Sequence, residues 1–163
     1  MNKEQIENKI TQKFGSAIEI QKTKNPEPFI YVSIEKYIEV CEFLKTDPDM
    51  CFEYLFQLGG VHYPDDRFEI ALTLSSHKHK HELVLKVKLP HDNPKAPTAT
   101  TVWEAANWYE REAMELFGIQ FEGHPDPRPL LLYDDWNYGY PMRKGWTGPD
   151  FIPMPDKTKG GDD

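Results

Sequence analysis

The sequence has few cysteines and no long apolar run, and each of these absences excludes a class of protein. Its two cysteines, Cys41 and Cys51, do not form a CxxC pair. Pairs of that kind are typical of zinc sites and redox centres, so we interpret both residues as free thiols in a reducing compartment. No run approaches the roughly 20 apolar residues of a membrane-spanning helix.

Basic clusters are also missing. The chain has 19 Lys and Arg against 27 Asp and Glu, which gives a formal net charge of −8. Nucleic-acid binding needs Lys and Arg to replace the counterions of the phosphates, so this composition argues against it. Residues 1–14 are polar and amphipathic and lack the apolar core and small-residue cleavage site of a signal peptide. We therefore expect the chain to stay in the cytosol.

Aromatic residues and prolines are plentiful. Apolar residues make up 39% of the chain and its mean hydropathy is −0.68, which with 163 residues fits one folded domain with a sizeable core. Aromatic residues make up 13%, and most of the 14 prolines follow residue 89. Aromatic side chains are enriched in the cores of protein interfaces, so this composition suggests a chain that partners cover.

Hydrophobic periodicity and turn residues predict the local structure. Ser33 is the expected N-cap of the second helix, and Gly15 and Gly118 are the expected ends of the first and the last. Gly59-Gly60 suggests a bulge or a close backbone approach in the third strand. The inner face of the second helix should carry Ile34, Tyr37, Ile38, Cys41 and Leu44. The predicted elements are a helix at 3–14, strands at 17–20 and 29–33, a helix from 33 to about 45, strands at 52–63, 67–76 and 81–90, a helix at 101–117, and turns at 25–28 and 77–80.

These elements predict an α+β fold. Residues 1–118 should form a small mixed or antiparallel sheet packed with helices, and residues 119–163 an extended, irregular C-terminal tail. After Gly118 the sequence shows turn-forming residues and no periodic element. Irregular segments of this length are usually functional or bound to a partner, so we predict that the tail binds partners.

The helix predicted at 101–117 carries two residues on the wrong face. On a helical wheel Glu110 falls on the apolar face, where a carboxylate needs a partner. Arg128, Arg143 or a backbone amide of the tail could supply it, or Glu110 could lie at the edge and reach solvent. Trp108 falls on the charged face, where it could contact another protein or cover the tail of its own chain.

The charges beside Glu110 point in different directions. Arg111 faces away from the apolar face and Glu112 lies at its border, so the three charges cannot form one catalytic cluster. We expect them to tie the helix to its own tail on one side and to another chain on the other. An acid–base pair of Glu110 or Glu112 with His124 is the enzymatic alternative, but no nucleophile elbow, phosphate loop or metal-ligand spacing supports it.

Three alternating histidines, His77, His79 and His81, could meet a metal ion on one face of a strand. Lys78 and Lys80 lie between them and would repel a cation, so a solvated hairpin tip is the favoured interpretation. A stand-alone metalloprotein or hydrolase that uses these histidines or Glu110 stays open as an alternative.

The tail has a short apolar anchor and several large aromatic residues. Side chains of Asp, His and Arg could hold its shape by hydrogen bonds to exposed backbone, or the tail could lie on a neighbour. The anchor is Leu130-Leu131-Leu132, and the aromatic residues are Trp136, Tyr138, Tyr140 and Trp146.

Residues 99–144 resemble the signature of the 30-kDa (C-type) subunit of respiratory complex I, the NADH:quinone oxidoreductase. Glu115 stands where Asp is commoner, Pro127 and Pro129 flank Arg128 where other residues are usual, and Met142 replaces a usual Leu. The resemblance rests on Glu110-Arg111-Glu112, Glu115-Leu116-Phe117-Gly118-Ile119, Phe121, Gly123-His124-Pro125-Asp126, Arg128, Leu130-Leu131, Asp134-Asp135-Trp136, Gly139, Pro141 and Arg143-Lys144.

The resemblance implies a hydrophilic, non-catalytic subunit of a proton-pumping NADH:quinone oxidoreductase, with no cofactor, catalytic residue or metal in this chain. Iron–sulfur clusters, FMN and quinone would belong to the assembled complex. The implied partners are subunits D (the 49-kDa type), B and I, and indirectly the membrane arm, on the cytoplasmic side of the inner membrane. An energy-converting [NiFe] hydrogenase or a related complex without NADH is the alternative. Residues expected to serve structure or partner contacts are Trp108, Glu110, Arg111, Glu112, Phe117, His124, Asp126, Arg128, Asp134, Asp135, Trp136, Tyr140, Arg143 and Lys144.

Overall fold

A computed structural model describes residues 2–21, 29–149 and 152. The predicted turn at 25–28 lies outside these residues. Gly15–Ala17 and Ile34–Lys36 form single 3-10 turns. The helices and strands are α1 (Lys3–Phe14), β1 (Ile18–Gln21), β2 (Phe29–Val32), α2 (Tyr37–Thr46), β3 (Tyr54–His62), β4 (Phe68–Ser76), β5 (His81–Leu89), β6 (Lys95–Pro97), α3 (Ala106–Phe117) and β7 (Gln120–Glu122).

The main sheet has five strands in the order β1-β2-β5-β4-β3. β4 pairs antiparallel with both β3 and β5, and β1 pairs antiparallel with β2. β2 pairs parallel with β5, so the sheet is mixed. The predicted α+β class and mixed sheet are confirmed.

The core lies on one face of this sheet. In β4 the side chains of Phe68, Ile70, Leu72 and Leu74 are buried, and those of β5 alternate with them in the same way, as a period of two requires. The helices add their apolar stripes to the same cluster. These side chains are Ile6 and Ile10 of α1, Tyr37, Val40, Cys41 and Leu44 of α2, and Ala106 and Ala113 of α3.

Two predicted helix starts are wrong. α3 begins at Ala106, because the backbone N–H groups of Val102 and Trp103 both bond to the carbonyl of Ala99 in a tight turn. Trp103 is buried there and its indole N–H donates to the carbonyl of Phe52 at 3.1 Å. The Ser33 side chain does not cap the second helix either, since the 3-10 turn at Ile34–Lys36 precedes α2.

A second, two-stranded parallel sheet joins the domain to the start of the tail. β6 and β7 pair in register from Lys95↔Gln120 to Pro97↔Glu122. Ile119 and Phe121 contribute to the core. Three-residue strands are too short to show a periodic pattern, so the sequence placed 119–122 in the irregular tail. The structure begins the irregular segment after Glu122.

The alternatives for Gly59-Gly60 are resolved. The register shift in β3 lies between Leu55 and Gln57. Gly60 is the position of close approach, because a Cβ there would lie 2.8 Å from Cδ1 of Ile119 and 2.9 Å from Cδ2 of Phe117. Its missing side chain therefore lets the end of α3 pack on the edge strand.

Candidate partner-binding site

The candidate site is built from α3 and the irregular segment at 123–149, which we call the tail. Gly118 ends α3 in the left-handed conformation, with a φ of 70°, and its N–H donates to the carbonyl of Met114. A Cβ at Gly118 would lie 2.5 Å from two ring carbons of Tyr140, so the tail passes directly over the helix end.

Glu110 is fully buried on the inner side of α3. Its carboxylate accepts hydrogen bonds from the Thr98 hydroxyl at 2.5 Å and from the Ala99 N–H at 2.6 Å. Burial raises the pKa of this carboxyl from 4.5 to about 7, against the opposing effect of the two hydrogen bonds. Glu110 thus fastens the helix to the turn that precedes it.

The expected partners of Glu110 are therefore wrong in part. A backbone amide does bind it, but that amide belongs to residue 99 and not to the tail. Arg128 pairs with Asp126, and Arg143 donates to the carbonyl of Phe117. Neither arginine reaches Glu110, because each is held by a group closer to it, and the solvent-reaching alternative for Glu110 is wrong as well.

His124 places the start of the tail next to Glu110. Its Nε2 lies 3.9 Å from the Glu110 carboxylate and 3.1 Å from the carbonyl of Asn107. Its Nδ1 accepts the N–H of Asp126 at 3.0 Å, so Nε2 must carry the proton that binds Asn107. Both side chains are buried and bonded into the fold. Glu110 and His124, which were considered as a possible acid–base pair, thus lie side by side where the tail starts. His124 fixes the start of the tail to α3 through its bond to Asn107.

Arg111 binds the tail of its own chain. Its Nε and Nη2 donate to the carbonyls of Arg128 and Pro129, each at 2.7 Å. Asp126 lies 3.7 Å from its Nη1 and forms a two-pronged pair with Arg128 at 2.6 and 2.8 Å. Of the charged triplet, Arg111 therefore ties the helix to its own tail, and a contact of this triplet with another chain stays a prediction.

Glu115 is a tail-binding residue that the sequence did not single out as a site. Its carboxylate accepts the backbone N–H groups of Leu130, Leu131 and Leu132 at 2.9, 2.7 and 3.2 Å. One carboxylate therefore holds a whole turn of the apolar anchor. The family signature has an acidic residue at position 115, and this was the available signal for its role. The helical wheel, however, places Glu115 on the charged face of the helix.

Arg143 closes the C-terminal end of α3. Its Nε donates to the carbonyl of Phe117 at 2.7 Å, and the N–H of Met142 donates to the carbonyl of Leu116 at 3.0 Å. A cation at this end of a helix is also favoured by the helix dipole. The guanidinium lies 4.3 Å from the ring centre of Tyr140 and 5.0 Å from that of Phe68.

His62 is the second residue that sequence reasoning missed. The N–H of Lys144 donates to its Nδ1 at 2.9 Å, and its ring stacks on Phe68 with centres 4.3 Å apart. Its Nε2 lies 3.1 Å from Asp66. No local pattern relates residues that are 82 positions apart, so the sequence carried no signal for this contact. The Lys144 side chain itself is exposed.

Trp136 is the centre of an aromatic cluster within the tail. Its indole N–H donates to the carbonyl of Gly139 at 2.6 Å, and that of Trp146 donates to the carbonyl of Tyr138 at 2.6 Å. The Trp136 ring lies 5.5 Å from Tyr133, 5.2 Å from Tyr138 and 6.0 Å from Trp146. Hydrogen bonding to its own backbone, one of the two predicted ways to hold the tail, is therefore present within the chain.

Large apolar side chains remain exposed on this scaffold. Trp108 is 67% exposed, so it does not cover the tail as one alternative proposed. The acids Glu112, Asp134 and Asp135 are also exposed. We call the exposed large apolar side chains of the tail the tail surface. They are Leu131, Tyr133, Tyr138, Tyr140 and Met142.

The three alternating histidines stand apart from this site. The Nε2 atoms of His79 and His81 lie 2.9 and 2.7 Å from the carbonyls of Pro48 and Met50, so these rings tie the hairpin to the chain after α2. Within residues 2–21, 29–149 and 152, no three His, Cys, Asp or Glu side chains converge as a possible metal site. None of the helices in these ranges is long and apolar enough to cross a membrane.

Comparison with known proteins identifies the family. Residues 30–151 match the family described as the 30-kDa subunit of respiratory-chain NADH dehydrogenase, and the chain belongs to that family. The C-type subunit of the NADH-quinone oxidoreductase of Chloroherpeton thalassium is 37% identical over 139 residues, which cover 84% of this chain and 58% of that protein. The predicted family is thus confirmed.

Two further comparisons concern a subunit of a different dehydrogenase and a solved structure. The C-type subunit of the F420H2 dehydrogenase of Methanosarcina mazei is 40% identical over 141 residues, which cover 85% of this chain and 88% of that protein. The solved trypsin-resistant fragment (1–134) of Nqo5 has a TM-score of 0.65 and 29% identity, and the match covers 77% of this chain and 99% of the fragment. The chain therefore spans just over half of one curated relative and most of another.

Proposed function

We propose that this chain is a non-catalytic subunit that positions the quinone-side module of a proton-pumping NADH:quinone oxidoreductase. It binds the large 49-kDa-type subunit, close to subunits B and I, at the cytoplasmic side of the inner membrane. The cofactors of the reaction lie in other subunits. Family membership supports this assignment, and relatives named as subunits of such oxidoreductases support it further.

The observation that carries the proposal is the combination of a fixed tail and exposed apolar side chains. Glu115, Arg111 and Arg143 hold the tail against α3 through hydrogen bonds to backbone groups. These contacts leave Leu131 64% and Tyr133 54% exposed. A surface whose backbone is already ordered loses little conformational entropy on binding. Contiguous exposed apolar patches mark protein contacts, and we infer that these side chains form one.

The test is recovery of partner subunits on an affinity-tagged chain from its native cells. Replacing Leu131 by Ser removes an exposed side chain of the tail surface and should reduce the recovery of the 49-kDa-type subunit severalfold. Phe56, which is 61% exposed on β3, gives a matched control because Phe56→Ser removes a similar apolar area elsewhere. Normal recovery with Leu131→Ser, or loss with Phe56→Ser alone, would show that the tail surface is not the docking site.

A second candidate is the equivalent subunit of a complex that takes electrons from a donor other than NADH. The similarity to the F420H2 dehydrogenase subunit, which extends over 88% of that protein, favours it. The proteins recovered with the tagged chain distinguish the two candidates. A flavin-containing NADH-oxidising module supports the first, whereas its absence, together with electron transfer from another donor, supports the second.

A further inference from the structure

The tail and Glu115 of α3 line a half-open cavity of about 300 Å³. Three of its nine lining residues are aromatic and two are acids. The residues that define its chemistry are Tyr133, Trp136, Tyr140, Asp134 and Glu115. A cavity of this size is at the lower limit of ligand pockets and large enough for one long side chain.

The two charged residues that line the cavity are both acids. Within the part of the chain that the structure describes, no lysine or arginine lines it. The Glu115 carboxylate lies at the helix side, where it binds the N–H groups of residues 130–132. Asp134 is exposed and belongs to the tail. A cavity lined by aromatic rings and acidic residues attracts a cation through both the ring faces and the negative charge.

The same chain already pairs ring faces with cations elsewhere. Lys13 lies 3.8 Å from the ring centre of Phe43, and Arg143 lies 4.3 Å from that of Tyr140. Arg143 shows that a guanidinium stacks on a ring that also lines the cavity. Guanidinium is planar, stacks on aromatic rings and binds carboxylates with two parallel N–H groups, so it fits such a cavity better than an ammonium group.

We propose that this cavity receives an arginine side chain of a neighbouring subunit. The inference rests on the proposed function, because it assigns a chemistry to one contact of the tail surface. The ring of Trp136 would stack on the guanidinium while Asp134 accepts its N–H groups. The occupant is thus a cationic residue of another protein, and an uncharged side chain of the same shape is the alternative that the test separates.

The test uses the full-length chain and N-acetyl-L-arginine amide as the probe. The indole N–H resonance of Trp136, assigned with Trp136→Phe, should shift saturably as the probe is added. N-acetyl-L-citrulline amide has nearly the same shape without the charge and should shift it at least severalfold less. Asp134→Asn should weaken the arginine response severalfold, whereas Asp135→Asn should not, because Asp135 does not line the cavity.

Each outcome decides the matter. Equal responses to the arginine and citrulline probes, or an unchanged response in Asp134→Asn, would overturn a cation site. No response to either probe would overturn the cavity as a binding site. These results are separate from the recovery of subunits in the Leu131→Ser experiment, so failure of the proposed function and failure of this inference can be distinguished.

Discussion

Glu110→Gln is expected to change how the stability of the chain depends on pH. The glutamine amide keeps the shape of the carboxyl, and its oxygen can still accept the Ala99 N–H. Its NH2 group can donate to the Thr98 hydroxyl oxygen, which then donates to Thr100, 2.8 Å away. The variant therefore imitates the protonated form of Glu110 at every pH.

The magnitude follows from the raised pKa of Glu110. Between its ordinary value of 4.5 and about 7, the folded state holds a proton that the unfolded state has lost. Stability from this group is fully present below pH 4.5 and is lost as the pH rises through 7. At 1.36 kcal/mol for each pKa unit, the loss is about 3 kcal/mol. The neighbours Tyr37 and Cys41 stay neutral in this window, because burial raises the pKa of both groups well above it.

The assay is urea unfolding followed by tryptophan fluorescence at several pH values between about 4.5 and 8. The free energy of unfolding of Glu110→Gln, taken relative to wild type, should rise by about 3 kcal/mol across this range. Glu112→Gln changes the exposed acid two residues further along the same helix. Its free energy of unfolding should vary with pH as that of wild type does. A difference between Glu110→Gln and wild type that does not vary with pH would refute the reasoning.

Two further variants probe the attachment of the tail. Gly118→Ala should lower the free energy of unfolding by roughly 1–3 kcal/mol in urea titrations, because φ is +70° there and the new Cβ would press on Tyr140. Wild-type stability in this variant would show that the tail does not lie on the helix end. Glu115→Ala should speed amide exchange of residues 130–132 on the order of tenfold, since about 1–2 kcal/mol of hydrogen bonding is lost. Glu104→Ala, at an exposed residue before α3, is the control, and equal exchange in the two variants would contradict the assigned role of Glu115.

The core elements were predictable because their signals are local. Alternation in β4 and β5 and the stripe of α2 repeat often enough for their faces to be read from the sequence. The same reasoning marks Glu110 as misplaced, since a carboxylate on an apolar face has to be satisfied. Its partner could not be predicted, because the tight turn that begins at Ala99 brings this amide to Glu110, and the predicted helix at 101–117 did not contain that turn.

The tail was less predictable because its contacts are side chain to backbone and distant in sequence. The helical wheel points Arg111 outward, yet the tail folds over that side of α3 and takes its guanidinium. His62 binds the Lys144 amide from the far end of β3. Such contacts leave no periodic trace. The family signature includes Arg111 and Lys144, but it does not include His62.

The most direct measurement of the central claim is a quantitative inventory of the proteins that co-purify with the tagged chain. The chain should bring down the 49-kDa-type subunit together with subunits B and I. Leu131→Ser should reduce the recovery of all three while Phe56→Ser leaves it unchanged. Recovery of the chain without these proteins, or equal recovery in both variants, would contradict the account.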